Sequence, residues 1–129
     1  MRAIAAQAPR LQVAQTSLQS GEALSGSIDG AGNNSVQLML VSDEGQVLDV
    51  SAFLKTSGDS RTFNMRMQRS GTAGAQPQLL VAVRSAKPLE TLKGAQSTPA
   101  DQVFPLAFAE ASRSGQPVGA AVRYFKLDR

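Results

Sequence analysis

Histidine, cysteine and tryptophan are all absent from this chain of 129 residues. Without cysteine there can be no disulfide, thiolate metal site or cysteine nucleophile, and without histidine the commonest metal ligand and general base is missing. A chain with no thiols folds equally well in the cytosol and in an oxidising space, so cysteine usage does not assign a compartment. Aromatic residues make up only 5% of the chain, and the interior must therefore be packed by aliphatic side chains. No run approaches 18 consecutive apolar residues, so membrane insertion by this chain is not expected. Thirteen Lys and Arg against ten Asp and Glu leave a net charge of only +3. Tyr124 and Phe125 are the aromatics nearest to basic residues, where stacking platforms for bases use several, so no nucleic-acid partner is expected.

What the chain does contain is strand pattern. Gln78 to Ser85, QLLVAVRS, is apolar at both alternating positions and reads as a central strand covered on both faces. In this reading Leu79, Val81 and Val83 point into the core, and Leu80 and Ala82 lie beneath a helix or second layer. VQLMLVS and QVLDVS, joined by Asp43-Glu44-Gly45, read as a hairpin with a type I turn closed by a glycine bulge. Its register is expected to align Val36, Leu38 and Leu40 with Val47 and with Asp49 or Val50. RTFNMRMQR alternates cleanly, with Phe63, Met65 and Met67 facing one way and Thr62, Asn64, Arg66 and Gln68 facing water. The polar segment Lys55 to Ser60 reads as a loop with Gly58-Asp59 at its tip.

One helix is expected late in the chain. It starts near Ser97 or Thr98 before Pro99, has Asp101 in its first turn, carries Phe104, Leu106, Ala107, Phe108 and Ala111, and stops at Gly115 and Pro117. Pro105 costs little in the first turn and would break the helix if deeper. A closing strand spans Gly119 to Leu127. Strands at regular spacing with a single helix predict an all-β, antiparallel sandwich of about seven strands, immunoglobulin-like or C2-like, with the helix before the last strand. Residues 1–10 read as a flexible lead-in or linker end and residues 11–129 as one domain, a size that supports one core. Ala6-Gln7-Ala8 resembles the end of a signal peptide, but the apolar region before it is too short to be one.

Little in the chain demands a reaction. There is no G-x-S-x-G elbow, and no spacing sets a serine against a lysine, so no enzyme is expected and no cofactor is implied. Asp43-Glu44 and the Asp29, Asn33, Asn34 group offer hard oxygens, but too few for calcium, and turn chemistry accounts for them. The sharpest candidate site is a basic patch formed by Arg61, Arg66, Arg69, Arg84 and Arg123, able to hold a small anionic ligand, a phosphate or an acidic peptide if the strands that carry them adjoin. Outward charges on strands also guard against aggregation, which is the plainer account of the same residues.

The order of these features, D-E-G hairpin, alternating strand, PQLLVAVRSAKPL, a helix carrying FPLAFAEA, and a closing RYFKL, resembles a bacterial β-sandwich domain of unknown function found C-terminal to serine/threonine kinase or caspase-like domains. The likeness spans most of Leu11 to Leu127 and is most specific over Gln78 to Leu89 and Ala121 to Leu127. It implies a non-catalytic binding or sensory accessory module of a larger bacterial signalling or envelope protein, in the periplasm or otherwise outside the cytoplasm, although composition is equally compatible with the cytoplasm. This chain carries no kinase and no anchor, so the likeness implies an excised terminal domain or a shared fold alone. A protein partner or a small anionic ligand is then expected. The alternative is a structural adaptor in an envelope or secretion assembly, bound through a sheet edge or the closing strand.

Overall fold

The computed structural model describes residues 9–19, 21–30, 34–42, 44–57, 60–66, 76–96 and 98–128. Ten strands and one helix occur in the order β1 (Arg10–Val13), β2 (Ser17–Gln19), β3 (Ala23–Asp29), β4 (Ser35–Val41), β5 (Gln46–Asp49), β6 (Lys55–Ser57), β7 (Ser60–Arg66), β8 (Gln76–Ser85), β9 (Thr98–Pro99), α1 (Ala100–Ser114) and β10 (Val118–Asp128), with a short 3₁₀ turn at Ser51–Phe53. They form two sheets, one ordered β1-β3-β7-β6 and the other β2-β10-β8-β4-β5-β9. The pairings are antiparallel except for β2 with β10. This is an all-β sandwich with the strand order of an immunoglobulin-type domain. No helix among the described residues is long and apolar enough to cross a membrane.

QLLVAVRS lies between β10 and β4, as a strand apolar on both rows should. The assignment of its two rows is the reverse of the expectation. Leu80 and Ala82 enter the core between the sheets, together with Leu11, Leu24, Ile28, Leu38, Phe63, Met65 and Phe125. Val81 and Val83 face outward, into a second core roofed by the helix and by residues 86–96, while Leu79 on the same row is 38% exposed. Each fully buried aliphatic side chain contributes roughly 1.5–3 kcal/mol, so both layers matter to stability.

The D-E-G hairpin forms, with Gly45 at φ 77° and its N–H bonded to the Ser42 carbonyl. Asp43 itself lies outside the described residues. The register pairs Val41 with Val47 and Leu40 with Leu48, so Val47 shares the helix-side face with Met39 and Val41 rather than the row of Leu38. Lys55 to Ser57 is not loop: it pairs with Ser60 to Thr62 as the edge hairpin β6–β7. The β-branched Thr56 favours extended backbone. The helix begins at Ala100 without a side-chain cap and ends on Gly115 in the left-handed conformation. It runs through Pro105, which forfeits only the bond to the Asp101 carbonyl near the start of the helix.

The second core depends on three polar side chains that hold residues 86–96 down. Buried Gln37 exchanges two hydrogen bonds with the backbone of Leu89, at 3.0 and 2.9 Å. Asp49 accepts from the Gly94 N–H at 2.9 Å, and its own N–H donates to the Ala95 carbonyl at 2.8 Å. On the helix, Glu110 accepts from the N–H of Glu90 and from the N–H and hydroxyl of Thr91. Burial acts to raise the Glu110 carboxyl, but these hydrogen bonds, with Arg113 nearby, override it and hold the group below the usual carboxylate range.

Candidate functional site

Of the five arginines proposed from sequence, the four among the described residues do not gather on one surface. Arg61 and Arg66 share β7 but lie five positions apart, an odd offset, so they take opposite faces. Arg61 is on the inward row with Phe63 and Met65, and its guanidinium donates to the Asn34 carbonyl at 3.5 Å. Arg66 turns outward at the far end of the strand, roughly 17 Å away along it, and donates to the Gly21 carbonyl at 3.1 Å. Arg84 belongs to the other sheet, opposite Val36 and Gly119, at the end where β4 begins. Arg61 lies at this same end of the sandwich, because its partner Asn34 directly precedes β4. Arg123 sits on β10 opposite Leu80 and is exposed. Arg69 lies outside the described residues.

A concave surface does exist, elsewhere. A trough of about 650 Å³ runs across the outer face of the four-stranded sheet, lined by Ala14, Ser25, Gly26, Ala52, Phe53, Lys55, Thr62, Phe63 and Asn64. Strand alternation builds its floor. Leu24, Phe63 and Met65 point into the core, so Ser25, Thr62 and Asn64 point out, with Ser25 opposite Asn64 and Lys55 opposite Thr62. One wall is the 3₁₀ turn by which the chain crosses from β5 to β6, and it leaves Phe53 48% exposed beside the polar row. The opposite wall is Ala14, whose N–H is bonded to the Ser25 carbonyl at 2.8 Å.

Gly26 keeps this floor thin. A Cβ at that position would run into the Gln12 carbonyl and come within 2.7 Å of Phe63 Cζ, so β1 and the Phe63 ring approach the strand only because a side chain is missing. Two hydroxyls, a carboxamide, an ammonium and an aromatic ring thus share one solvent-facing hollow of the size that takes a small ligand.

The other groups noticed in the sequence carry less. Asp29 is bonded to the Ser60 hydroxyl and Glu44 is exposed at a turn. Among the described residues there is no group of three or more Asp or Glu placed to hold a metal ion. No family model matches the chain, and no curated protein matches it either.

The trough residues escaped sequence reasoning for identifiable reasons. Thr62 and Asn64 were legible as a wet face, but Lys55 lay in a segment read as loop and Phe53 in the connection before it.

Proposed function

We propose that this chain is a non-catalytic binding or sensory module of a larger bacterial signalling or envelope protein, and that it holds a small anionic ligand in the trough over the four-stranded sheet. The observation that carries this reading is the row of outward polar side chains, Ser25, Thr62 and Asn64, left bare beside Lys55 and Phe53. The Lys55 ammonium matches a carboxylate or phosphate. The hydroxyls and the carboxamide match hydroxyl groups, and the Phe53 ring offers an apolar face of the kind on which a sugar ring rests. An acidic sugar combines these features. Placement outside the cytoplasm follows in this reading from the family resemblance, and cell-wall fragments are then natural ligands.

A thermal-shift screen with inorganic phosphate, neutral sugars, sugar acids and cell-wall fragments tests the proposal. Sugar acids should raise the melting temperature of the parent chain, and Lys55→Ala should abolish the rise without lowering the ligand-free melting point. A flat response across the panel, or a rise that survives Lys55→Ala, overturns the assignment.

A further inference from the structure

Two of the arginines singled out by the sequence meet at one end of the sandwich. Arg84 continues the inward row of Leu80 and Ala82 on β8, and Arg61 continues the inward row of Phe63 and Met65 on β7. These rows pack against each other in the core between the sheets. Each arginine is the terminal inward residue of its strand, and both are half-buried. Long stems of this kind cover the rim of an apolar core and carry their charged heads to water.

The register brings the two guanidiniums to one mouth. Val36 lies opposite Arg84, and Asn34, two positions earlier, is the diagonal neighbour of Arg84, with Cα atoms about 7–8 Å apart. Arg61 crosses from the other sheet to donate to the Asn34 carbonyl at 3.5 Å. Its guanidinium is thereby delivered to the surroundings of Arg84. On the other flank of Arg84 the cross-strand partner is Gly119, which brings no side chain into the mouth.

Positive charge predominates at this end among the described residues. Arg10 opens β1 here, and Lys87 follows the end of β8. Asp29, the carboxylate that ends β3, lies opposite Arg10 and accepts from the Ser60 hydroxyl. Two guanidiniums that converge on one mouth favour an anion held between them.

We infer that Arg61 and Arg84 hold a tetrahedral dianion, a phosphate or sulfate group, at the end of the sandwich where β4 begins. A guanidinium fork bonds an oxyanion through two parallel N–H groups. A carboxylate has one pair of oxygens to offer, whereas a phosphate or sulfate can present a pair to each of two forks. The bond to Asn34 occupies only part of the Arg61 fork. The site lies on the inward side of the four-stranded sheet and shares no residue with the trough on its outer face. It therefore neither requires nor excludes the ligand proposed there.

Inorganic phosphate and inorganic sulfate test the site when titrated into the full chain at an ionic strength held constant with sodium chloride. In nitrogen–proton correlation spectra the amide signals of Ser35 and Gly119 should move and saturate. Arg61→Gln and Arg84→Gln should each weaken binding by about tenfold or more, and Lys55→Ala should leave these shifts unchanged. Arg61→Lys and Arg84→Lys keep the charge and the stem but lose the fork, so they should weaken binding several-fold. They decide the matter where a glutamine variant does not fold. Methyl phosphate separates the two sources: binding tighter than that of inorganic phosphate assigns the site to a phosphate ester, and binding no tighter assigns it to the free ion. Signals that move no more with phosphate or sulfate than with chloride overturn the site. Affinity that survives both glutamine variants, or both lysine variants where these replace them, overturns it too. Loss of the sugar-acid response in Lys55→Ala bears on the trough alone.

Discussion

The outer faces of the two sheets begin from the same alternation and end differently. On the six-stranded sheet the outward residues Met39, Val41, Val47, Val81 and Val83 are apolar, and a helix with residues 86–96 is laid over them. On the four-stranded sheet the corresponding outward residues are Ser25, Ser27, Thr62 and Asn64, and among the described residues no α-helix lies over them. The covered face needs polar fasteners, buried Gln37 and the half-exposed Asp49 and Glu110, because a roof of irregular backbone brings N–H and C=O groups that must be satisfied. The bare face needs none, because water satisfies it, and its polar groups remain available to a ligand. One outer face is thus sealed by apolar packing, and the other is the face on which the proposed recognition rests.

The strongest way to break this contrast is to place a carboxylate on each face. Val81→Asp buries an unpaired charge under the helix, costs upward of about 4 kcal/mol, and should abolish cooperative melting followed by circular dichroism. A soluble mutant that melts cooperatively would mean the face is not closed. Next in size is Gly26→Ala, which forces β1 or Phe63 to move. It should cost about 2 kcal/mol and lower the melting temperature by roughly 5–10 °C, although its target is a partly exposed glycine beneath the bare face.

Glu110→Gln sharpens the account of the roof. A carboxyl held below its ordinary value stabilises the fold at neutral pH, and that contribution is fully present above about pH 4.5 and is lost as the pH falls through the lowered value. The variant should melt about 3–5 °C below the parent at pH 7, and the gap should narrow as the solution is acidified below pH 4. A gap that persists unchanged in acid would show that the carboxylate charge is not what holds Glu90 and Thr91. Smallest is Thr62→Asp on the bare face, expected to shift the melting temperature by no more than about 2 °C. Its new charge should nevertheless weaken binding of any anion held by Lys55, as titration calorimetry would record.

Much of the architecture was readable because its signals are local. The double apolar rows of β8, the D-E-G turn, the alternation of β7 and the glycine that ends the helix each announce their element within a few residues. What was not readable is relational. Both rows of β8 are apolar, so nothing in Leu79 to Val83 says which row meets the other sheet and which meets the helix. That choice shows only in the fold, where residues 86–96 and α1 lie over the Val81 and Val83 row. The arginines illustrate a rule that was available: a period of two puts Arg61 and Arg66 on opposite faces of any strand that holds both. The trough depends on where the chain crosses between sheets at Ser51–Phe53, and no short-range pattern encodes that crossing.

The parallel contact between β2 and β10 has a kinetic meaning. It sets Leu18 beside Leu127, both buried, although more than a hundred residues separate them. The sheet order β2-β10-β8 cannot be completed until β10 is available, so a chain growing from its N-terminus holds Leu18 without its neighbour until β10 has been made. Contacts of such long range also slow folding. Leu18 of β2 therefore stays exposed until β10 is in place, and that interval is when aggregation competes with folding.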